Sequence, residues 1–217
     1  MNKVSLEHQG VALEPSAAGA VLTIDLQAVR ENYRRLRAKA GAARCAGVVK
    51  ADGYGLGAVP VALALVAEGC DTFFVAHVGE GISLREVIGP KPTIYVLNGI
   101  PPGAERDAIG ANLRAVVNSL DQLSAWSKTA RDIDRKLAAA VQVDSGMSRL
   151  GMAASEVMAA ITDPQAFAGI EVALVMSHLA CADEPAHPAN EAQRAEFDRL
   201  RAVLPAAPAS LANSSGI

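Results

Sequence analysis

Seven short apolar stretches recur along the chain, each followed by polar residues and a turn. Their apolar residues are nearly continuous and do not alternate with polar ones, which is typical of strands buried on both faces of a parallel sheet. We therefore predict seven strands, within the segments GVVKA, TFFVAHV, TIYVLNG, RAVVNS, AAVQVDS, EVALVMSHL and SLANSSGI.

Between these stretches the apolar residues have the spacing of amphipathic helices. The pattern predicts a first helix over residues 26–40, with Asp25 as the N-cap that accepts backbone N–H groups. Further helices are predicted over residues 59–68, 120–128 and 190–203, with a stop at Gly69 and a cap at Ser119.

Repeated βα units predict either an open, doubly wound sheet or a TIM-like (β/α)8 barrel. Polar residues follow several different strands, which favours the barrel, because barrel enzymes collect their active sites at the carboxyl ends of the strands. No G-x-G-x-x-G turn, the signature of a dinucleotide-binding sheet, follows the first strand. The polar residues at these strand ends are Lys50, Asn98, Asn118, Asp144, His178 and Asn213.

The strand count also bears on the domain organisation. A closed barrel of this type needs about eight strands, so the barrel domain, residues 21–217, is expected to stop before its eighth strand. Residues 1–20 are predicted to form an N-terminal extension. Glu7 and Glu14 interrupt any apolar run there, which argues against a secretory signal peptide.

Composition and charge exclude several classes of protein. The 217 residues are 51% hydrophobic, which rules out wholesale disorder, and the net charge of -3 offers no attraction for nucleic acid. No apolar run approaches the roughly 18 residues of a membrane span. The three cysteines are widely spaced and odd in number, as expected of reduced thiols in the cytoplasm.

Lys50 is the most informative polar residue, because it follows the first apolar strand directly. Desolvation favours the neutral amine, which is the nucleophilic form. The glycine-rich turn around Tyr54 allows the backbone and a phenol to approach a ligand closely. The alternative is a lysine whose aliphatic stem crosses the barrel rim and whose ammonium group is solvated.

The segment VVKADGYGLGA resembles the pyridoxal-phosphate lysine motif of alanine racemases. Three later segments are similar to motifs of the same family, in the same order along the chain. VDSGMSRLG contains Arg149, MSHLACAD contains His178, and SLANSSGI contains Asn213 and Ser214. The resemblance extends over nearly all of the chain from about Val21.

The resemblance implies a barrel that pairs with a C-terminal β domain, which is absent from this chain. It also implies pyridoxal 5'-phosphate as cofactor, a homodimer in the full-length protein, and racemisation of L-alanine and D-alanine by two bases. The implied role is the supply of D-alanine for peptidoglycan in the cytoplasm. No metal, nucleic acid or membrane partner is expected.

The resemblance also assigns a role to individual residues. Lys50 would hold the cofactor and serve as one of the two bases. Arg149 would contact both the cofactor and the substrate carboxylate, and His178 would lie against the cofactor ring. The phosphate would be bound by Tyr54, Asn213 and Ser214, and Leu97 would line the site.

Considered without the resemblance, several of these residues have simpler explanations. Arg149 could form a surface ion pair with Asp144, and Leu97 could belong to the hydrophobic core. His178 could be a hydrogen-bonded histidine at a strand end, and Asn213 could begin a polar turn.

The chain departs from the family pattern in two respects. Gln142 occupies a position where many members have a carbamylated lysine that orients the arginine. The tyrosine that serves as second base and the arginine that contacts the pyridine nitrogen have no counterpart in this chain. We therefore expect the 217 residues alone to be inactive. Two alternatives remain: a single-barrel protein of pyridoxal-phosphate homeostasis, and a broad-spectrum racemase or decarboxylase of the same fold.

Overall fold

The computed structural model describes residues 19–217. The predicted N-terminal extension therefore lies outside the described residues, except for its last two positions. Within the described part, no helix has both the length and the apolar character needed to cross a membrane. Cys45, Cys70 and Cys181 are all unpaired thiols.

The seven predicted strands are confirmed, and they form one parallel sheet in the order of the sequence. Among residues 19–217, β1 pairs only with β2 and β7 only with β6, so the sheet is open between its first and last strands. The strands are Gly47–Val48 (β1), Thr72–Val75 (β2), Thr93–Val96 (β3), Leu113–Val117 (β4), Leu137–Gln142 (β5), Ile170–Met176 (β6) and Ala209–Ser210 (β7).

The described residues form eight helices, four of which the hydrophobic pattern predicted. The predicted four are α1, α3, α6 and α8, and the pattern missed the other four. The helices are Leu26–Lys39 (α1), Lys50–Tyr54 (α2), Ala58–Ala67 (α3), Val78–Ile88 (α4), Glu105–Gly110 (α5), Leu120–Asp132 (α6), Ala154–Thr162 (α7) and Pro188–Arg201 (α8).

The predicted caps are present, whereas several helix ends differ by a few residues. The Asp25 carboxylate accepts the N–H groups of Gln27 and Ala28, and the Ser119 hydroxyl accepts that of Gln122. Helix α6 continues to Asp132, which pairs with Lys128 one turn earlier. Helix α8 begins two residues earlier than predicted because a proline suits the first helical position.

Helix α4 was missed because a glycine interrupts the apolar residues of its buried face. Gly81 is buried, and a Cβ atom at this position would lie 2.8 Å from a Leu113 side-chain carbon. The helix therefore packs closely on β4 at a position that an apolar periodicity does not register.

The sheet packs on two separate hydrophobic clusters. The larger lies between the strands and the helices and includes Phe73, Ile94 and Leu200. The smaller, which we call the inner cluster, lies on the other face of the strands, where the Phe74 and Tyr95 rings stack with centroids 5.1 Å apart. Its buried members are Phe74, Tyr95, Val116, Ala140 and Met176. Burial on both faces explains the continuous apolar runs of the sequence.

Candidate active site

A cavity of about 710 Å³ opens where the strands end. It continues along the open side of the sheet, where residues of β1, β7 and α1 line it. This volume is within the range of small-molecule sites in proteins. All seven predicted site residues line this one cavity: Lys50, Tyr54, Leu97, Arg149, His178, Asn213 and Ser214.

The sequence pattern predicted Lys50 at the end of a strand, whereas the structure places it two residues beyond β1. Strand β1 ends at Val48, and Lys50 begins α2, a short turn with left-handed backbone. Ala51, Asp52 and Tyr54 have φ values of 51°, 51° and 58°. A left-handed residue other than glycine costs about 1–2 kcal/mol, so this turn is strained at the residues that follow the candidate nucleophile.

Hydrogen bonds to the neighbouring helices α3 and α4 stabilise this turn. The Asp52 carboxylate accepts the N–H of Ala58 at 2.7 Å, which ties the turn to the start of α3. A Glu80 carboxylate oxygen accepts the N–H of Ala51 at 2.7 Å from the start of α4. Within the turn, the Gly53 N–H donates to the carbonyl of Val49 at 2.9 Å.

The turn places an amine beside a phenol. The Lys50 Nζ lies 5.9 Å from the centroid of the Tyr54 ring. Tyr54 is 63% exposed, so its hydroxyl is accessible from the cavity side of the turn. The two side chains therefore offer one ammonium group and one hydroxyl group to the same ligand.

Arg149 lies in the loop between β5 and α7, and hydrogen bonds to Asp144 stabilise this loop. One carboxylate oxygen of Asp144 accepts the N–H groups of Gly146, Met147 and Ser148 at 2.9, 3.0 and 3.0 Å. The ion pairs within residues 19–217 do not include Arg149 with Asp144, so the simpler explanation of Arg149 as a partner of this carboxylate is wrong.

Gln142, where the resemblance implies a modified lysine in many relatives, is buried at the end of β5. Its Nε2 donates to the carbonyl of Leu150 at 3.3 Å. The amide thus holds the backbone next to Arg149, whereas the hydrogen bonds of the described residues include none between the two side chains. A neutral amide cannot orient the guanidinium through charge.

His178 follows β6 and is half-buried in the cavity wall. Burial lowers the pKa of its imidazole, and the positive charges of Arg149 and Lys50 lower that pKa further. A lowered pKa favours the neutral imidazole, which suits contact with a flat ring. The buried Gln193 of α8 holds this segment by donating to the His178 carbonyl at 3.1 Å and accepting the Ala180 N–H at 2.8 Å.

The cavity ends at a 3-10 turn over Ser214–Gly216, which follows β7. The Asn213 side-chain oxygen accepts the N–H groups of Ser215 and Gly216, both at 3.1 Å. Asn213 therefore does form a polar turn, the simpler of its two predicted roles. The same geometry leaves its Nδ2 group and the exposed Ser214 for a ligand.

Leu97 lies between the hydrophobic core and the cavity. Its half-buried side chain packs against the inner cluster and also lines the cavity.

The donor groups of the cavity fit an anionic ligand that carries a carbonyl group. Lys50 and Arg149 supply two cationic groups near the neutral His178, while Tyr54 and Ser214 supply hydroxyl groups. Lysine can form a covalent bond with a carbonyl carbon, and a phosphate needs several donors of these kinds. In the described part of the chain, no group of three His, Cys, Asp or Glu side chains could hold a metal ion.

The parallel sheet with helices packed against its strands places the chain among the (β/α) barrel proteins, and comparison with known proteins identifies the family. Residues 24–217 match the model of the alanine racemase N-terminal domain. The chain belongs to this family.

Named relatives and solved structures agree with this assignment. The chain is 64% identical to a catabolic alanine racemase of Mesorhizobium japonicum over 96% of its length, and 46% identical to an alanine racemase of Rhodospirillum rubrum over 92%. It spans about half the length of these curated relatives, 55% and 54% respectively.

Among solved structures, the alanine racemase of Bartonella henselae with covalently bound pyridoxal phosphate superimposes with a TM-score of 0.86 at 38% identity. The superposition covers 89% of this chain and 56% of that one. The predicted barrel architecture is therefore confirmed.

The hydrophobic and motif patterns of the sequence do not point to Glu80, Gln193 or Asp52 as supports of the site. Glu80 accepts the N–H of Ala51 directly after Lys50, and Gln193 accepts the N–H of Ala180 two residues after His178. Asp52 accepts the N–H of Ala58 at the start of α3. A partial signal exists for Glu80, since a glutamate three residues after the start of a helix is typical of a capping box. The hydrogen bond of Glu80 with the Ala51 N–H cannot be predicted in this way, because it depends on the pairing of β1 with β2.

Proposed function

We propose that this chain forms the cofactor-binding part of a pyridoxal-phosphate-dependent alanine racemase. The observation that carries the proposal is the convergence of Lys50, Arg149 and His178, with the hydroxyl and amide donors, on one cavity. Family membership and the bound pyridoxal phosphate of the Bartonella structure support it.

In this proposal residues from both turns that close the cavity hold the cofactor. Lys50 Nζ would hold the cofactor through its aldehyde carbon, with water as the leaving group, while Tyr54, Ser214 and the Nδ2 of Asn213 would donate to the phosphate. The neutral His178 lies against the ring, and Leu97 closes the cavity wall. When bound, the cofactor supplies an electron sink that makes the substrate α-proton removable.

Arg149 is proposed to contact the cofactor and to bind the substrate carboxylate, because a guanidinium group matches a carboxylate with two parallel hydrogen bonds. The Lys50 amine then moves the α-proton on one face of the substrate. Transfer on the opposite face needs a second base. We propose that this base belongs to a part of the protein outside these 217 residues, which fits relatives nearly twice as long as this chain. We further propose that the second subunit of a homodimer contributes it.

The proposed location is the cytoplasm, where the supply of D-alanine would serve peptidoglycan synthesis. The name of the Mesorhizobium relative favours a second role, the breakdown of alanine. Deleting the gene separates the two roles. A requirement for D-alanine in every medium supports the biosynthetic role, whereas a defect confined to growth on alanine as carbon source supports the catabolic one.

Borohydride reduction tests the central assignment. The protein is loaded with pyridoxal phosphate, reduced and digested, and the pyridoxyl group is expected on the peptide that contains Lys50. Lys50→Arg keeps the charge but should abolish the label, while Lys91→Arg serves as the matched control. Label on Lys39 or Lys91 would overturn the assignment.

Turnover distinguishes a racemase from a protein that only binds the cofactor. The 217 residues should take up pyridoxal phosphate yet form D-alanine far more slowly than the full-length protein, because loss of one base costs about 10²- to 10⁴-fold. Full turnover by the 217 residues would contradict the two-base proposal. A full-length protein without turnover would support the homeostasis function, and serine turnover matching alanine would favour the broad-spectrum racemase.

A further inference from the structure

We infer that Glu80 is a positioning residue that holds the turn of Lys50 in its left-handed form. The inference rests on the proposed function, in which Lys50 carries the cofactor. Glu80 itself is not among the residues that line the cavity, so it acts through the backbone that presents the lysine.

The two oxygens of the Glu80 carboxylate bind two different segments. Oε1 accepts the N–H of Ala51 at 2.7 Å, directly after Lys50. Oε2 accepts the N–H groups of Ala76 and His77 at 2.6 and 3.1 Å, where the chain leaves β2 and enters α4. One side chain thus ties the turn after β1 to the end of the neighbouring strand.

The contact to Ala51 matters because this residue adopts an unfavourable backbone conformation. Its φ is 51°, and the strain of α2 must be offset by contacts outside the turn. A hydrogen bond to a carboxylate is stronger than one to a neutral acceptor, so Glu80 is well suited to this purpose. It fixes the orientation of the peptide between Lys50 and Ala51, and with it the direction of the lysine side chain.

A purely structural role in helix capping is the alternative, and the chain contains a matched example of it. Glu156 occupies the same position in α7, where Oε2 accepts the N–H of Ala153 at 3.0 Å. Its Oε1 accepts the N–H of Leu120 at 3.2 Å, at the start of α6. Glu156 therefore caps its helix and contacts the preceding unit as Glu80 does, but neither of its partners lines the cavity.

The experiment compares Glu80→Gln with Glu156→Gln in the full-length protein. Without cofactor, amide hydrogen exchange of a peptide covering residues 50–57 should become about 10-fold faster in Glu80→Gln and stay unchanged in Glu156→Gln. With pyridoxal phosphate, the dissociation constant should rise about 10-fold in Glu80→Gln only. The visible circular dichroism of the bound cofactor should change as well, because its orientation depends on Lys50.

Glu80→Asp covers the case in which Glu80→Gln does not fold. The shorter carboxylate keeps the helix cap but does not reach Ala51, so exchange over residues 50–57 should still be faster than in Glu156→Gln. Equal exchange and equal cofactor affinity in the Glu80 and Glu156 variants would overturn the inference. Absence of the borohydride-trapped label from Lys50 in the wild-type protein would instead contradict the proposed function. The hydrogen-exchange measurement without cofactor would still test the role of Glu80.

Discussion

The two turns that close the cavity are built in opposite ways. The turn after β1 contains Ala51, Asp52 and Tyr54 in left-handed backbone and is tied to α3 and α4 by carboxylates. The turn after β7 is a 3-10 turn that Asn213 caps from within. The first turn presents the candidate covalent anchor together with the Tyr54 hydroxyl, whereas the second presents only groups proposed to bind a phosphate.

This contrast follows from what each end must do. A covalent anchor needs one fixed direction of approach, so a strained backbone held by neighbouring helices is useful there. A phosphate accepts donors from many directions, so a short, relaxed and exposed turn is sufficient. The comparison predicts that equivalent substitutions have larger effects at the first turn than at the second.

Substitution of a glycine in each turn should give the largest difference. Gly53 has φ +64°, and an added Cβ would lie 3.1 Å from the backbone nitrogen of Ala58. Gly53→Ala should therefore lower the free energy of unfolding by about 2 kcal/mol. Gly216→Ala, whose Cβ would meet only side-chain atoms at 3.3 Å or more, should change it by less than about 0.5 kcal/mol. Urea unfolding measures both, and equal losses would refute the contrast.

Removal of the Asp52 carboxylate should have the next largest effect. Asp52→Ala leaves the Ala58 N–H without its acceptor at the start of α3, which should cost about 1 kcal/mol of unfolding free energy. Thermal unfolding checks the loss. Asp52→Asn keeps an acceptor oxygen and should recover most of it. An unchanged midpoint in Asp52→Ala would mean that the turn does not depend on this contact.

Loss of the cap in the second turn should matter less for stability. Asn213→Ala removes the acceptor of the Ser215 and Gly216 N–H groups, and we expect a loss of about 0.5 kcal/mol because the turn is exposed. Asn213→Asp keeps the acceptor and should restore the fold of the turn. Hydrogen exchange of the C-terminal peptide provides the measurement, and a loss as large as that of Asp52→Ala would contradict the ranking.

The smallest effect concerns His178, which follows the strand next to β7. Its pKa in the folded chain is lower than the ordinary value of about 6.5, so the unfolded chain binds a proton more readily. The associated stability is complete above pH 6.5 and decreases as the pH falls through the lowered pKa of the folded chain. His178→Gln should flatten this part of the stability curve. A slope that persists in the variant would assign the effect to other groups.

The sequence predicted the fold through local patterns. Continuous apolar runs identified seven buried strands, and side-chain caps such as Asp25 and Ser119 marked the starts of α1 and α6. Helix α4 was not visible because its buried face includes Gly81, which carries no apolar side chain.

The sequence also predicted that the polar strand-end residues lie together, because residues that follow parallel strands come to one end of the sheet. Lys50, Asn98, His178 and Asn213 line one cavity, whereas Asn118 and Asp144 are not among the residues that line it. The sequence could not establish the partner of Gln142, because that hydrogen bond depends on how the loop after β5 folds back to bring the Leu150 carbonyl into reach.

The sequence by itself thus determined the order of strands, the end of the sheet that carries polar chemistry, and the family. Only the tertiary structure decided that the turn of Lys50 is left-handed and that Glu80 holds it. The physical reason is range: periodicity and capping depend on residues within one or two turns, whereas Glu80 and Ala51 are 29 positions apart. Their hydrogen bond exists because β1 and β2 are neighbours in the sheet, which brings the two loops together.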